Sequence, residues 1–288
     1  MKEAQFYKKI KREIVQCELC PHYCTLKDGE LGKCKVRKNI NGILYSLSYE
    51  QPVSIAIDPI EKKPLYHFLQ NTYTFSIGMA GCNLRCLNCQ NWELSQKSAE
   101  ELKVKPVKAR EIVEQAIKTK CPSISYTYSE PFISWEYVYE IAKLVRKAGL
   151  KNIAVTNGFI NPKPLKLLLR YIDAFNVDLK SINEKFYENI CGAKLAPVLE
   201  SLKIIYKSGK HLEITNLLIP RNNDSDKEIK KLVIWIKDNL SCEIPLHFSA
   251  FYPCYNLSHL SSTSASTIIH AAEIARKLGM KHVHTGNI

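Results

Sequence analysis

Three cysteines in one short segment carry the strongest chemical signal in the chain. Cys82, Cys86 and Cys89 lie in Ser76-Ile77-Gly78-Met79-Ala80-Gly81-Cys82-Asn83-Leu84-Arg85-Cys86-Leu87-Asn88-Cys89-Gln90-Asn91-Trp92. Thiolates are the natural ligands of iron–sulfur clusters, and a 4Fe–4S cluster held by protein alone takes four of them. The C-x₃-C-x₂-C spacing supplies three, which leaves one iron open to a chelating substrate. Gly78 and Gly81 let the backbone wrap closely around an inorganic group. A structural zinc site is closed by four ligands, and His67 would have to fold back to complete one here. The spacing, the glycines and the strand-like run before them favour the cluster.

A second group, Cys17-x₂-Cys20-x₃-Cys24-x₉-Cys34, offers four thiolates, with Pro21 and Gly32 supplying turns. Four thiolates suit tetrahedral zinc, and a metal-stapled knuckle needs little core of its own. The same side chains could hold a second Fe–S cluster that relays electrons, with His22 able to replace one of them, or could stay unmetallated. The four other cysteines, Cys121, Cys191, Cys242 and Cys254, are scattered and read as buried apolar fillers. The N-terminus lacks an apolar signal region and no run of about 18 apolar residues occurs, so a cytoplasmic protein without a membrane span is the default. Disulfides are disfavoured in that compartment, which turns clustered cysteines toward metal.

These residues need elements to place them. At 288 residues the chain fits one α/β barrel, and 45% hydrophobic with 24% charged residues is an ordinary globular balance. The formal charge of +13 would suit an anionic partner such as RNA, but the lysines are spread along helical faces, so a solvated surface is the simpler reading. Residues 1–70 read as a cysteine-rich, metal-binding extension. It contains a short basic helix over Phe6–Val15, a hairpin turn at Asn41-Gly42, and a segment from Ile57 to Phe68 in which Pro59 and Pro64 oppose a helix or central strand. Residues 71–288 read as the barrel. Its strands are expected over Thr72–Ile77, Ser123–Tyr128, Asn152–Thr156, Ala174–Asp178, Leu212–Leu218 and Pro245–Ser249, with a last one over Lys281–His284. Helices are expected over Lys108–Lys118, Ser134–Lys147, Leu195–Lys207, Lys227–Asp238 and Ala265–Leu278, with Ser134 and Gly149 as caps. Six or seven β-α units are too few for a closed eight-stranded barrel. The fold expected is an α/β, partial (β/α)6 TIM-like barrel whose chemistry sits at the carboxyl ends of the strands.

At the three cysteines the sequence resembles the radical SAM superfamily. It is more closely similar to the radical SAM enzyme of the AmmeMemoRadiSam system, a relative of pyruvate formate-lyase activating enzyme. The likeness extends to Cys17-Glu18-Leu19-Cys20-Pro21-His22-Tyr23-Cys24, Asp58-Pro59-Ile60-Glu61-Lys62-Lys63-Pro64-Leu65, Tyr128-Ser129-Glu130-Pro131, Thr156-Asn157-Gly158-Phe159 and Asp178-Leu179-Lys180. It implies an oxidoreductase-type enzyme in which S-adenosylmethionine chelates the unique iron and is cleaved to a 5′-deoxyadenosyl radical that abstracts hydrogen. On that resemblance Ser129 and Glu130 receive the methionine ammonium, Thr156 and Asn157 reach the ribose or carboxylate, and Asp178 and Lys180 lie near the cofactor. Asn88 stands where many relatives have an aromatic residue against adenine. Phe251-Tyr252-Pro253 replaces a Phe-His-Pro motif, with Tyr252 able to donate through its phenol. Relatives also commonly continue past Thr285-Gly286-Asn287 into a Cys-x-x-Cys tail, whereas this sequence ends at Ile288.

The partners implied are an electron donor such as ferredoxin or flavodoxin and a glycyl-radical protein. RNA or a small metabolite is the alternative substrate. A different class, a non-catalytic Fe–S electron carrier or a zinc-stabilised nucleic-acid binder, accounts less well for polar groups at four successive strand ends, since an electron carrier needs no substrate-chelating shell.

Overall fold

The computed structural model describes residues 1–288. Residues 1–46 hold six short strands: β1 (Lys2–Glu3), β2 (Tyr7–Lys11), β3 (Ile14–Cys17), β4 (Thr25–Leu26), β5 (Arg37–Ile40) and β6 (Ile43–Ser46). They form two small antiparallel sheets, ordered β1-β6-β5 and β2-β3-β4. Phe6–Val15 is therefore not a helix but a hairpin, with β2 and β3 paired antiparallel around an irregularity between Lys9 and Lys11. Phe6, Ile10 and Ile14 fall at helical spacing by coincidence. Ile10 is 46% exposed, while Val15, Cys17 and Leu19 turn inward in the alternation of an extended chain. The Asn41-Gly42 turn joins β5 to β6, with both residues left-handed at φ 53° and 76°, as a two-residue hairpin requires.

The main sheet has eight strands in the order β14-β13-β12-β11-β10-β9-β8-β7. They are β7 (Pro52–Pro59), β8 (Tyr73–Met79), β9 (Ser123–Tyr126), β10 (Lys151–Thr156), β11 (Ala174–Asp178), β12 (His211–Leu218), β13 (Leu246–Ala250) and β14 (Val283–Gly286). β8 to β14 run parallel in chain order, as right-handed β-α repeats dictate. β7 is antiparallel to β8 and forms one edge, the position where its terminal prolines cost no ladder bond. Residues 52–59 thus join the barrel sheet, and a division at residue 70 would cut through it. The sheet does not close, since β7 and β14 each have one neighbour.

The helices expected from periodicity form over Ala109–Lys118, Trp135–Lys147, Ala196–Lys207, Asp226–Asn239 and Ala265–Lys277. Gly149 follows the second of these at φ 76°, whereas Ser134 leaves its hydroxyl on Ser48 at 2.6 Å instead of capping the helix. No helix is long and apolar enough to cross a membrane. The extension is fixed to the barrel by a buried ion pair, Arg37 Nη2 to Glu136 Oε1 at 2.5 Å, both side chains 1% exposed. Arg37 also donates to the carbonyls of Gln5 and Ile133, so its guanidinium is well satisfied away from water.

Residues 60–71 fold back under the sheet and close its amino end. Glu213, buried on β12, accepts from the Tyr66 and His67 backbone N–H groups at 3.1 and 2.8 Å and from His211 and His247 at 2.8 and 2.6 Å. Burial opposes its charge, but these four donors outweigh it and hold its pKa at about 2. Asn176 on β11 donates to the Pro64 carbonyl, and His67 Nε2 meets His284 Nε2 at 2.8 Å. Five of the eight histidines gather here, which no single sequence motif announced. Burial, and then the neighbouring His247 and His67, push the His284 pKa down from 6.5 to about 4. Between those values the unfolded chain binds a proton that the folded chain resists, so stability falls as pH drops from 6.5 toward 4 and this contribution is constant above it. Denaturant midpoints measured across that window are expected to fall less steeply in His284→Gln than in the wild type; superimposable profiles would contradict the assignment.

Candidate active site

Every residue singled out for chemistry in the barrel ends a strand or follows its carboxyl end. The cysteine loop leaves β8 at Met79 and turns through Gly81 at φ 82°. A Cβ on Gly81 would overlap the Cys34 carbonyl oxygen and press on Val36 Cγ1, so the N-terminal knuckle packs directly on the backbone that starts the loop. Cys86 is buried, and Cys82 and Cys89 are partly so. Their sulfurs meet polar groups suited to thiolates. Cys82 Sγ accepts from Leu84 N–H at 3.3 Å and lies 3.6 Å from Asn157 Nδ2, and Cys89 Sγ lies 3.1 Å from Ser95 Oγ.

Burial drives the Cys82 and Cys89 pKa values upward. Cys86 goes the other way, to about 7, because a hydrogen bond from Cys191 stabilises its thiolate; burial opposes this and the Lys180 charge assists it. No three cysteine, histidine or acidic side chains converge as they would on a single ion. Three ligands of a 4Fe–4S cluster each bind a different iron and need not converge. Sulfur-only ligands, buried and supplied with N–H and O–H donors, fit such a cluster.

The next three strand ends are braced to one another. After β9, Ser129 Oγ donates to the Met79 carbonyl at 2.6 Å. Glu130, 2% exposed, accepts from the Thr156 hydroxyl at 2.8 and 2.9 Å, from Asn157 N–H at 2.8 Å and from Phe132 N–H at 3.0 Å. Burial outweighs these donors and raises the Glu130 pKa to about 7. Asn157 Nδ2 also donates to Asn83 Oδ1 at 2.9 Å, which ties the β10 end to the cysteine loop. After β11, Lys180 Nζ pairs with Asp178 Oδ2 at 3.0 Å. Burial disfavours the Lys180 charge, but Asp178 and the Cys86 and Cys191 sulfurs outweigh it and keep the ammonium protonated.

Six of the seven expected cofactor contacts are thus brought around the cysteine loop. Tyr252 is not. It is 51% exposed and its hydroxyl donates to the Asn287 carbonyl at 3.0 Å, just past β14. The structure adds residues in its place: Cys254 Sγ donates to the Asn88 carbonyl at 3.2 Å, and Trp92 stacks on Tyr255 with ring centres 5.2 Å apart. Cys191 and Cys254 are therefore not mere fillers. Both lie against the cysteine loop, a proximity that spacing along the chain does not reveal. The Asn88 side-chain oxygen is buried without a partner.

The four N-terminal cysteines line one small cavity with Leu19, His22, Gly32, Lys33, Arg37 and Ile133. His22 Nε2 is already engaged with the Asn83 carbonyl at 2.7 Å, so His22 bridges the knuckle to the cysteine loop.

The sequence pattern of the radical SAM superfamily matches residues 76–233, from within β8 into the helix that follows β12. The chain belongs to the radical SAM superfamily. An uncharacterized protein of Methanocaldococcus jannaschii is 44% identical over 288 residues, which is all of this chain and 86% of that protein. The pyruvate formate-lyase-activating enzyme of Clostridium pasteurianum is 24% identical over 58% of this chain and 72% of its own. Among solved structures, a radical SAM methyltransferase from Sphaerobacter thermophilus superposes with a TM-score of 0.56 at 14% identity, covering 76% of this chain and 67% of that one. SuiB of Streptococcus suis, solved bound to S-adenosylmethionine, gives 0.54 at 16% identity over 73% of this chain and 46% of its own. These structural likenesses establish the partial-barrel fold. The chain is accordingly a radical SAM enzyme, a class that works with a 4Fe–4S cluster and S-adenosylmethionine.

Gly81 offers a direct check on how the loop is built. Gly81→Ala combines a left-handed backbone with a clash against the Cys34 carbonyl, and is expected to cost about 1–3 kcal/mol in chemical denaturation and to reduce iron incorporation. A variant as stable and iron-rich as the wild type would show that the knuckle does not press on the loop.

Proposed function

We propose that this enzyme cleaves S-adenosylmethionine reductively at a 4Fe–4S cluster held by Cys82, Cys86 and Cys89 and abstracts hydrogen from a glycine of a protein partner. The carrying observation is that the β8 cysteine loop meets the Glu130–Thr156–Asn157 brace at Cys82, whose sulfur lies 3.6 Å from Asn157 Nδ2, so a cluster with one open iron would lie beside a buried, hydrogen-bonded carboxyl group. When bound, the cluster and S-adenosylmethionine supply the one-electron chemistry that gives methionine and a 5′-deoxyadenosyl radical.

The protein's own residues position and shield. Glu130 offers its carboxyl where a methionine ammonium would sit, a cation that would favour the ionised form against the burial that raises its pKa, with Thr156 and Asn157 fixing its orientation. Ser129 holds the β9 loop to β8. Lys180, kept charged by Asp178, places a cation beside the Cys86 thiolate. The plug of residues 60–71 closes the amino end of the sheet, which leaves the carboxyl end for substrate entry. Similarity to pyruvate formate-lyase-activating enzymes favours a glycyl-radical protein as that substrate and a ferredoxin- or flavodoxin-type protein as reductant.

Anaerobic reconstitution followed by dithionite and S-adenosylmethionine is expected to yield 5′-deoxyadenosine, with Cys86→Ala reducing the yield to background. Undiminished production in that variant would overturn the mechanism.

For the N-terminal cysteines we propose a structural metal on the number and type of their thiols, zinc being the ion that four thiolates suit; the four line one cavity without converging on a single point, so the metal itself would draw them together. In the Cys82, Cys86 and Cys89 triple-alanine variant, elemental analysis is expected to find zinc retained and iron lost. Retention of about four irons would instead place a second cluster at Cys17, Cys20, Cys24 and Cys34.

A further inference from the structure

The residues that clamp the cysteine loop from outside come from a segment the reaction has not been assigned. Between β11 and the Ala196–Lys207 helix, residues Tyr187–Cys191 form a single π-helical turn that ends at Gly192 in a left-handed conformation, φ 66°. π-turns of this kind are uncommon and concentrate at functional sites. Its carbonyls receive two N–H groups of the cysteine loop: Arg85 N–H donates to Cys191 O at 2.8 Å, and Leu87 N–H to Ile190 O at 2.9 Å. The two bonds bracket Cys86. A Cβ on Gly192 would lie 3.2 Å from Arg85 Cβ, so the strap lies flush on the loop. Cys191 is fully buried, and these backbone bonds set it against the loop beside Cys86. The Tyr187 hydroxyl accepts from Lys180 N–H at 3.2 Å, which joins the strap to the Asp178–Lys180 pair.

Resting on the assignment of Cys86 as a cluster ligand, we propose that Cys191 is a positioning residue whose thiol donates a hydrogen bond to the Cys86 sulfur and eases reduction of the cluster. Hydrogen bonds to cluster sulfurs are a principal means by which a protein adjusts reduction potential, because they offset the extra negative charge of the reduced state. A thiol is a weak donor in water, but this one is excluded from solvent beside a cluster ligand. The backbone bonds from Arg85 and Leu87 hold Cys191 beside Cys86, which keeps the donor within reach of the ligand. A serine at 191 would keep a donor in the same place; an alanine would not.

The test compares wild type, Cys191→Ala, Cys191→Ser and Cys121→Ala after anaerobic reconstitution. Iron per chain and the reduced fraction of the cluster are read in a mediated potential titration. Cys121 is a second buried cysteine, outside the site, that controls for loss of a buried thiol. At the wild-type midpoint, Cys191→Ala is expected to lower the ratio of reduced to oxidised cluster by about threefold or more, while Cys191→Ser and Cys121→Ala stay closer to wild type. Loss of the cluster in Cys191→Ala with retention in Cys191→Ser also supports the proposal, since only the donor separates the two. Equal effects in Cys191→Ala and Cys191→Ser, or none in Cys191→Ala, would overturn it while leaving the radical SAM assignment intact. A wild type that binds no iron would overturn that assignment, and the role of Cys191 with it.

Discussion

The upper end of this sheet depends on keeping three cysteine sulfurs in a largely buried loop where at least one can exist as a thiolate. Burial alone works against that, as the upward shifts at Cys82 and Cys89 show. The fold answers with donors and a cation: Leu84 N–H and Asn157 at Cys82, Ser95 at Cys89, Cys191 and Lys180 at Cys86. Asn157, Lys180 and Cys191 come from strand ends and a turn outside the loop, so it is fully supported only when the carboxyl face is assembled. A metal cluster would find its ligands held by the scaffold and would not have to order them itself.

The same requirement explains the arrangement around it. Glu130 ties β9 to β10, Asn157 ties β10 to the cysteine loop, and Ser129 ties β9 back to β8. The N-terminal knuckle closes the loop from the other side through His22 on the Asn83 carbonyl and the Cys34 backbone against Gly81. That gives the cysteine-rich extension a mechanical role whatever it binds. At the opposite end, Glu213 and its histidines secure the plug, and Asp58 with Lys63 at 2.7 Å adds a second buried polar link between the plug and the sheet. Polar networks therefore occupy both ends of the barrel, one open to chemistry and one sealed.

Much of this was legible in the sequence because the decisive signals are local. The C-x₃-C-x₂-C spacing lies within one loop, and the β-α rhythm is enough to set Glu130, Thr156, Asn157, Asp178 and Lys180 at one face. What escaped was non-local or ambiguous. Phe6, Ile10 and Ile14 fit a helix as well as a hairpin, and only tertiary burial of Val15, Cys17 and Leu19 decides between them. Cys191 is distant in sequence from Cys86, and nothing in its immediate neighbours marks a π-turn. Tyr252 follows a strand like the other site residues, yet its side chain is exposed and engaged by the Asn287 carbonyl, a partner far along the chain. Glu213 did carry a readable signal: a carboxylate between Leu212 and Ile214 in a central strand must find several donors, and the abundant histidines were the available ones.

The account rests on Cys82, Cys86 and Cys89 leaving one iron free for S-adenosylmethionine. Electron paramagnetic resonance of the reduced, reconstituted wild type, recorded with and without S-adenosylmethionine, addresses that point most directly. The account predicts a 4Fe–4S signal that changes shape and g-values when S-adenosylmethionine is added. A spectrum unaltered by saturating S-adenosylmethionine would contradict it.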